Sequence, residues 1–152
     1  MKVSKKIFVE EELNINGATL LSVEEAEKLP DRLLKCRNFW WLRSSGKYLN
    51  FSACVTPLGM INYRGEEINI NFCVRPALIL DNLESSNFDI GDIFIFGNKE
   101  FEIITKELAF CREDIEFHCF NEEKNNDYES SEIKEYIDNW FEEVSSKEEK
   151  DK

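Results

Sequence analysis

The sequence contains little of what most catalytic protein classes depend on. Its 152 residues include a single histidine, His118, and only six glycines and three prolines. One histidine excludes multi-histidine metal sites, and a Ser-His-Asp or Cys-His enzyme would depend on that residue alone. The GxGxxG, P-loop and GxSxG motifs are missing. No pair of its many glutamates can be selected as catalytic from pattern alone. We therefore expect a protein that is not an enzyme and that uses no cofactor.

Long apolar runs are missing as well. No stretch approaches the roughly 18 apolar residues of a membrane span. Residues 1–6 are basic, but acidic residues follow them rather than an apolar segment, so a signal peptide is not expected. The five cysteines are an odd number without regular spacing, which argues against a disulfide scaffold and favours a reducing cytoplasm.

Positive charge is scarce in the second half of the chain. Residues 1–80 carry 11 Lys and Arg against 9 Asp and Glu, whereas residues 81–152 carry 8 against 22, a net charge of −14. Such a charge repels nucleic acid, so direct nucleic-acid binding is not expected. It is typical of a solvated acidic face, and it would also attract a basic protein surface.

The first half predicts one helix among short strands. Residues 6–9 are expected to form a first strand, and Asn14–Gly17 a turn. Ser22–Glu25 reads as a capping box, which starts a helix that Pro30 ends or restarts. Between residues 40 and 80 the apolar residues recur with a period of two. This pattern predicts three or four antiparallel strands with one apolar face, with turns at residues 57–59 and at Arg64-Gly65. The last of these strands is expected to extend through residues 77–80.

The second half predicts hairpins and an acidic helix. A hairpin with its turn at Gly97–Lys99 is expected over residues 93–104, and residues 108–111 and 115–117 would form another. Apolar residues at helical spacing predict a final helix over residues 131–144. The fold class is therefore α+β, with small twisted antiparallel sheets and two helices.

The domain organisation predicted from these patterns is simple. Residues 1–144 are expected to form a single compact domain. Its two lobes would cover residues 1–80 and 88–144, with the polar segment between them as the boundary. Residues 145–152 are expected to be a charged flexible tail.

Cys111, His118 and Cys119 are of metal-ligand type, but their spacing fits no common zinc pattern. Adjacent residues on a strand also point to opposite faces, which separates His118 from Cys119. We therefore expect no metal site there, and half-buried cysteines beside an exposed histidine instead.

Two short strings combine an arginine with bulky apolar residues: Trp40–Ser44, which reads WWLRS, and Val74–Leu78, which reads VRPAL. Arginine is seldom fully buried unless it is paired, and a buried tryptophan usually keeps its N–H bonded. The strings therefore predict a rigid frame. Its core residues would be Trp40, Trp41, Val74 and Leu78, and Arg43 and Arg75 would bind strand or loop carbonyls.

The segment between the two strings is rich in polar and aromatic residues of the kind that binding surfaces use. An ordinary exposed sheet face has the same composition, so both interpretations stand at this point. The candidate ligand-binding residues are Tyr48, Asn50, Asn62, Tyr63, Arg64 and Glu66, with Ser52 and Thr56 also on this surface.

The two strings resemble the signature of an uncharacterised family of phages and prophages of low-GC Gram-positive bacteria. Residues 20–26 and the hairpin residues from Gly91-Asp92 to Ile104 are similar to further segments of that family. So are residues 126–133, which lead to Trp140. In many relatives the hairpin-and-helix half comes first, so the order here looks like a circular permutation.

The resemblance implies a C-type-lectin-like fold, in which a small twisted sheet supports a long irregular binding surface. The chain lacks that fold's calcium-site patterns and has no evident match to the catalytic cysteine pair of formylglycine-generating enzymes. Calcium-dependent sugar binding and oxidase activity are therefore not implied.

The function predicted from these observations is a non-enzymatic, phage-derived protein. It would present the 46–73 surface to a protein or other macromolecular partner in the cytoplasm of a bacterial host, without contact with a membrane. The alternative is an anti-defence inhibitor whose acidic second half occupies the nucleic-acid groove of a host nuclease. The acidic residues proposed for that role are Glu132, Glu135, Asp138, Glu142 and Glu143. A structural role in the phage particle is a third possibility.

Overall fold

The computed structural model describes residues 1–5, 10–123 and 125–150, and over these ranges the protein is α+β with mainly antiparallel sheets. The described chain forms two compact units. Unit 1 contains residues 1–19, 76–113 and 137–152, and unit 2 contains residues 20–75 and 114–136.

The described residues contain three α-helices and twelve strands. The helices are α1 (Val23–Glu27), α2 (Asp31–Leu34) and α3 (Glu132–Lys150). The strands are β1 (Lys2–Lys5), β2 (Glu10–Glu12), β3 (Asn14–Thr19), β4 (Trp40–Ser45), β5 (Phe51–Val55), β6 (Ile61–Glu67), β7 (Asn71–Val74), β8 (Ala77–Asp81), β9 (Ile93–Phe96), β10 (Lys99–Ile103), β11 (Leu108–Cys111) and β12 (Glu116–Cys119).

Unit 1 is built on a seven-stranded antiparallel sheet in the order β2-β1-β9-β10-β11-β8-β3. Its core is aromatic. Phe101 lies 6.1 Å from Phe94, 6.0 Å from Phe96 and 6.2 Å from Trp140 of α3, measured between ring centroids. The three phenylalanines are completely buried. The aromatic face of α3 therefore packs on the β9–β10 hairpin.

The β9–β10 hairpin has the predicted tight turn. Phe96 pairs with Lys99, so Gly97 and Asn98 form a two-residue loop in which both have a positive φ (59° and 63°). This is the geometry of the type I′ turn that matches strand twist. An added Cβ at Gly97 would press against Val144, so glycine also allows α3 to approach closely.

Unit 2 is built on a five-stranded sheet in the order β12-β7-β4-β5-β6. The β4–β7 pair is parallel, with Trp40 opposite Cys73, and the other pairs are antiparallel. Trp41 packs against Phe72 at 4.5 Å and against Phe120 at 5.8 Å. The four predicted core residues are all completely buried, as expected: Trp40, Trp41 and Val74 in this unit, and Leu78 in unit 1.

The capping box before α1 is confirmed. The Glu25 N–H donates to Ser22 Oγ at 3.1 Å, and the Ser22 N–H donates to Glu25 Oε1 at 2.8 Å. Pro30 then precedes the short second helix α2, because a proline is tolerated at a helix start but not in its interior. The predicted single helix after Ser22 is thus two short ones.

Two predicted turns are strand residues in the structure. Asn14–Gly17 belongs to β3, which pairs with β8 around a register shift between Ile15 and Gly17. Strand β6 runs through Arg64 and Gly65, where we predicted a turn. Gly65 has a φ of 86° at this point, close to a register shift against β5, so the strand is bulged rather than ended. The predicted strand at residues 6–9 lies outside the described residues.

The predicted hairpin of residues 108–111 and 115–117 is wrong. Strand β11 pairs with β10 and β8 in unit 1, whereas β12 pairs with β7 in unit 2. The expected extension of β7 into residues 77–80 is also wrong. Pro76 has no N–H to donate and interrupts the ladder, and β8 joins the sheet of unit 1.

The units differ from the predicted lobes, because each collects segments that are distant in sequence. The expected boundary at residues 81–87 lies inside unit 1, where residues 83–85 form a short 3-10 turn. The predicted flexible tail is also corrected: α3 continues to Lys150, with an i,i+4 pair between Glu143 and Lys147 at 3.6 Å. Within the described ranges, no helix has the combined length and apolarity needed to span a membrane.

Candidate functional site

The tryptophans and arginines of the WWLRS and VRPAL strings brace unit 2 through hydrogen bonds to backbone carbonyls. Trp40 Nε1 donates to the Leu34 carbonyl at 2.9 Å, and Trp41 Nε1 donates to the His118 carbonyl at 3.1 Å. Both indoles are buried, so these bonds satisfy donors that would otherwise be costly to desolvate.

The two arginines of the strings also bind backbone carbonyls, as predicted, although the Leu33 carbonyl bound by Arg75 lies in α2 and not in a strand or loop. Arg75 is completely buried, donates to the Leu33 carbonyl at 2.8 Å and stacks over the Trp40 ring at 4.7 Å. Arg43 donates to the Leu20 carbonyl at 2.6 Å and pairs with Glu25 at 2.6 Å. Burial alone would raise the pKa of Glu25, but hydrogen bonds from Arg43 and Ser22 and the arginine charge lower it.

The structure brings two of the six candidate ligand-binding residues to one half-buried aromatic ring. Tyr48 packs edge-on against Phe51 at 5.2 Å, and the Arg64 guanidinium lies 5.7 Å from the centre of the same ring. Lys47 in turn lies 5.6 Å from the Tyr48 ring centre. The side chains of Tyr48 and Arg64 are both exposed to solvent. We call Lys47, Tyr48, Phe51 and Arg64 the Tyr48 cluster.

Asn62, Glu66 and Tyr63 have structural partners on or near β6. The Gly65 N–H donates to Asn62 Oδ1 at 3.0 Å, and Asn62 Nδ2 donates to Glu66 Oε1 at 3.4 Å, which braces the bulge. Tyr63 faces Glu27 of α1. Partial desolvation, the charge of that carboxylate and a hydrogen bond to it raise the pKa of the tyrosine.

Asn50 lies in a different place, at the edge of a shallow depression in unit 2. The other residues that line it are Glu67, Ile68, Asn69, Glu122 and Glu123. We call this feature the acidic depression, because its three glutamates are all exposed. Ser52 does not belong to the surface: it is completely buried and donates to the carbonyls of Leu42 and Ser44. Thr56 Oγ1 accepts from the Met60 N–H and braces the β5–β6 turn.

Exposed large apolar side chains are concentrated between residues 46 and 73. Among the described residues, nine such side chains are exposed, and six of them fall in this segment. They are Tyr48, Leu49, Leu58, Met60, Tyr63 and Ile70. Strand β6 is also an edge strand of its sheet. Exposed apolar groups at a sheet edge are a common feature of protein-binding surfaces.

The predicted acidic residues of α3 are divided between the units. Glu132 and Glu135 belong to unit 2, whereas Asp138, Glu142 and Glu143 belong to unit 1. Glu132 Oε1 accepts from the Glu122 N–H at 3.2 Å, so this part of the helix lies beside the acidic depression.

The Cys111, His118 and Cys119 string forms no metal-binding group among the described residues. Cys111 belongs to unit 1 and the other two to unit 2. His118 Nδ1 lies 2.6 Å from the Cys119 carbonyl, and its ring stacks on Tyr136 at 4.8 Å. Burial raises the pKa of Cys119 to about 11, followed by the effect of Glu122.

Sequence reasoning missed a cluster of Cys36, Cys73 and Asp114 in unit 2. Their sulfur and carboxylate oxygen atoms all lie within 4.8 Å of one another. Arg37 binds both oxygens of Asp114 at 2.8 Å. No spacing signal could have found it, since the three residues come from separate segments that the β4, β7 and β12 pairing brings together.

Comparison of the chain with protein-family models, curated proteins and solved structures finds no match. The interpretation of the site therefore depends on its own geometry.

Proposed function

We propose that this is a non-enzymatic binding protein of phage or prophage origin, which acts on a protein partner through the Tyr48 cluster and the neighbouring β6 edge. The observation that carries the proposal is the concentration of exposed apolar and aromatic side chains between residues 46 and 73. Tyr and Arg are, together with Trp, the residue types enriched among binding hot spots. The Tyr48 cluster presents both of them around one ring.

The rigidity of the surrounding frame supports the same proposal. The Asn126 amide donates to the Tyr48 and Phe51 carbonyls at 3.1 and 2.9 Å, and the Lys47 N–H donates to the Arg64 carbonyl at 2.8 Å. A surface that is ordered before binding loses less conformational entropy on association. The proposal also includes a C-type-lectin-like fold and action in the bacterial cytoplasm, which rest on the resemblance of the WWLRS and VRPAL strings to the phage family.

The test uses a partner captured from bacterial lysate, identified by mass spectrometry and then purified. Isothermal titration compares the protein with a Tyr48→Ala, Tyr63→Ala, Arg64→Ala triple variant. We expect at least a ~100-fold loss of affinity, since hot-spot truncations cost on the order of 2 kcal/mol each, and little change in Tm. The matched control is Ile79→Ala, Ile90→Ala, which removes two exposed apolar side chains of unit 1. Wild-type affinity in the triple variant would show that the surface is assigned wrongly.

The second candidate is an anti-defence inhibitor that covers a basic nucleic-acid groove. The acidic depression supports it, because Glu67, Glu122 and Glu123 are exposed around one concavity. A complex held by these charges should weaken steeply between low and high salt, since exposed charges are screened beyond about 8 Å at physiological ionic strength. Replacing the three glutamates with glutamine should remove that salt dependence. If the affinity changes neither with salt nor with these substitutions, the acidic depression is not the binding surface and the Tyr48 cluster is favoured instead.

A further inference from the structure

Cys36 and Cys73 are two thiols that the fold of unit 2 places side by side. Cys36 lies between α2 and β4, and its N–H donates to the Pro57 carbonyl at 3.2 Å. Cys73 lies within β7, opposite Trp40 on one side and Phe117 on the other. Their sulfur atoms are within 4.8 Å of each other.

The two thiols differ in access to solvent. Cys36 is half-buried, whereas Cys73 is completely buried. Cys73 Sγ has two acceptors within reach, the Cys36 sulfur and Asp114 Oδ2, which lies at 3.6 Å. The other three cysteines are buried. A reagent from solvent would therefore meet Cys36 first.

The surroundings of Cys36 favour its thiolate. A hydrogen bond from Cys73 and the charge of Arg75 together lower the pKa of Cys36 to about 6, although burial opposes both effects. The same hydrogen bond raises the pKa of Cys73, together with its burial. A half-exposed cysteine next to a guanidinium is the environment in which reactive thiols are found.

We propose that Cys36 and Cys73 form a thiol–disulfide modification site, which reacts with low-molecular-weight disulfides of the glutathione type. The Cys36 thiolate attacks one sulfur of the disulfide RSSR, which forms a Cys36–S–S–R bond and releases RS⁻. Cys73 then gives its proton to Asp114 Oδ2, and its sulfur attacks the Cys36 sulfur. The bond to the RS group breaks and a second RS⁻ leaves.

Two protein thiols thereby lose two electrons and two protons, and one RSSR is reduced to two RS⁻. The sulfur atoms have to approach to about 2 Å. Cys36 can make this movement because it lies in the segment between α2 and β4 and not within a strand. The inference does not depend on the proposed binding partner.

Metal binding is the competing use of Cys36, Cys73 and Asp114. A cation would have to share the Asp114 carboxylate, whose two oxygens both accept from Arg37. The positive guanidinium would then lie close to the ion and repel it. Structural zinc sites also take four protein ligands, whereas the described residues supply three here. These observations favour thiol chemistry.

The test uses the full-length reduced protein with oxidised glutathione at pH 7, followed by peptide mapping. The wild type should form the Cys36–Cys73 disulfide. Cys73→Ser should stop at the mixed disulfide on Cys36, and Cys36→Ser should react at least ~10-fold more slowly. Cys54, Cys111 and Cys119 are internal controls that should stay unmodified. Circular dichroism checks that each variant is folded.

A second measurement needs no variant. The rate of Cys36 alkylation by iodoacetamide should reach half of its maximum near pH 6, and at pH 6 it should exceed that of a cysteine peptide about tenfold. A midpoint near the ordinary thiol value, or a wild type that keeps the mixed disulfide, would overturn the proposal. Stoichiometric zinc in the purified protein that is lost in both Cys→Ser variants would overturn it in favour of a metal site.

Discussion

The two units are both sheets with aromatic cores, but they differ in where they place polar groups. Of seven buried polar or charged side chains in the described residues, only Glu102 belongs to unit 1. The other six, among them Arg75 and Asp114, belong to unit 2, which also holds seven of the nine exposed large apolar side chains. Unit 1 therefore follows the ordinary rule of an apolar interior. Unit 2 departs from that rule twice, because it buries polar side chains and exposes large apolar ones. Departures of this kind concentrate at functional sites.

The largest loss of stability is expected from a substitution in the apolar core of unit 1. Phe101→Ala should lower the free energy of unfolding by about 4 kcal/mol, because it removes a buried ring that touches three other aromatic side chains. Urea denaturation measures this loss. The exposed Ile90→Ala is the control, and it should change stability by less than about 0.5 kcal/mol. Equal losses for the two variants would contradict the assignment of the core.

Two glycines with positive φ, one in each unit, give a matched comparison. At Gly65 an added Cβ would overlap the Ser52 carbonyl, whereas at Gly91 it would meet nothing within 4 Å. Gly65→Ala should therefore cost roughly 3 kcal/mol, from backbone strain and the steric clash together. Gly91→Ala should cost roughly 1 kcal/mol, from strain alone. Thermal unfolding of the two variants shows which of them loses more stability. A larger loss for Gly91→Ala than for Gly65→Ala would contradict the bulge in β6.

The polar interior of unit 2 is tested at Arg75. Arg75→Met keeps a long side chain but leaves the Leu33 carbonyl without its donor, so we expect a loss of roughly 2 kcal/mol. The variant should also raise the pKa of Cys36, since it removes the nearby positive charge. Iodoacetamide kinetics would show this as a higher pH midpoint. Arg112→Met in unit 1, which removes a partly exposed pair with Glu100, should leave that midpoint unchanged.

The smallest effect is the pH dependence of the Glu25–Arg43 pair. The pKa of Glu25 is lower in the folded protein than in the unfolded chain. The pair therefore stabilises the fold above the unfolded glutamate pKa of about 4.3. This contribution is lost as the pH falls through the folded value.

Stability of the wild type should therefore fall more between pH 7 and pH 3 than that of Arg43→Met, by less than about 1 kcal/mol. Urea denaturation at both pH values measures the difference. Lys106→Met, which breaks the fully exposed pair with Glu84 in unit 1, should give the wild-type pH dependence. Parallel behaviour of all three proteins would contradict a role for the Arg43 contact.

Local patterns predicted the elements better than their pairing. The capping box at Ser22, the turn at Gly97 and the buried Trp40 each depend on neighbours in sequence, and each is found as predicted. Strands β11 and β12 are close in sequence yet pair with strands of different units. Sequence could not show this, because short strands carry no signal for their partners.

In the candidate site, too, residue types could be predicted from the sequence, whereas their neighbours in space could not. Tyr48 and Arg64 were identified by residue type, and the structure places both beside Phe51. Asn62 and Glu66 have the right residue types but brace the Gly65 bulge. The Cys36–Cys73 pair depends on the parallel register of Trp40 with Cys73, a long-range contact that no local pattern encodes.

The interleaving of the chain between the units has a consequence for its biosynthesis. Strand β3 pairs with β8, some 60 residues later, and the aromatic residues of α3 that cover the β9–β10 hairpin come later still. Unit 1 therefore stays incomplete on the ribosome until the helix beyond residue 137 has been translated. Its early strands are exposed for most of that time, when strand edges are most prone to aggregation. Long-range pairing also folds slowly, so we expect the yield of folded protein to depend on temperature during expression.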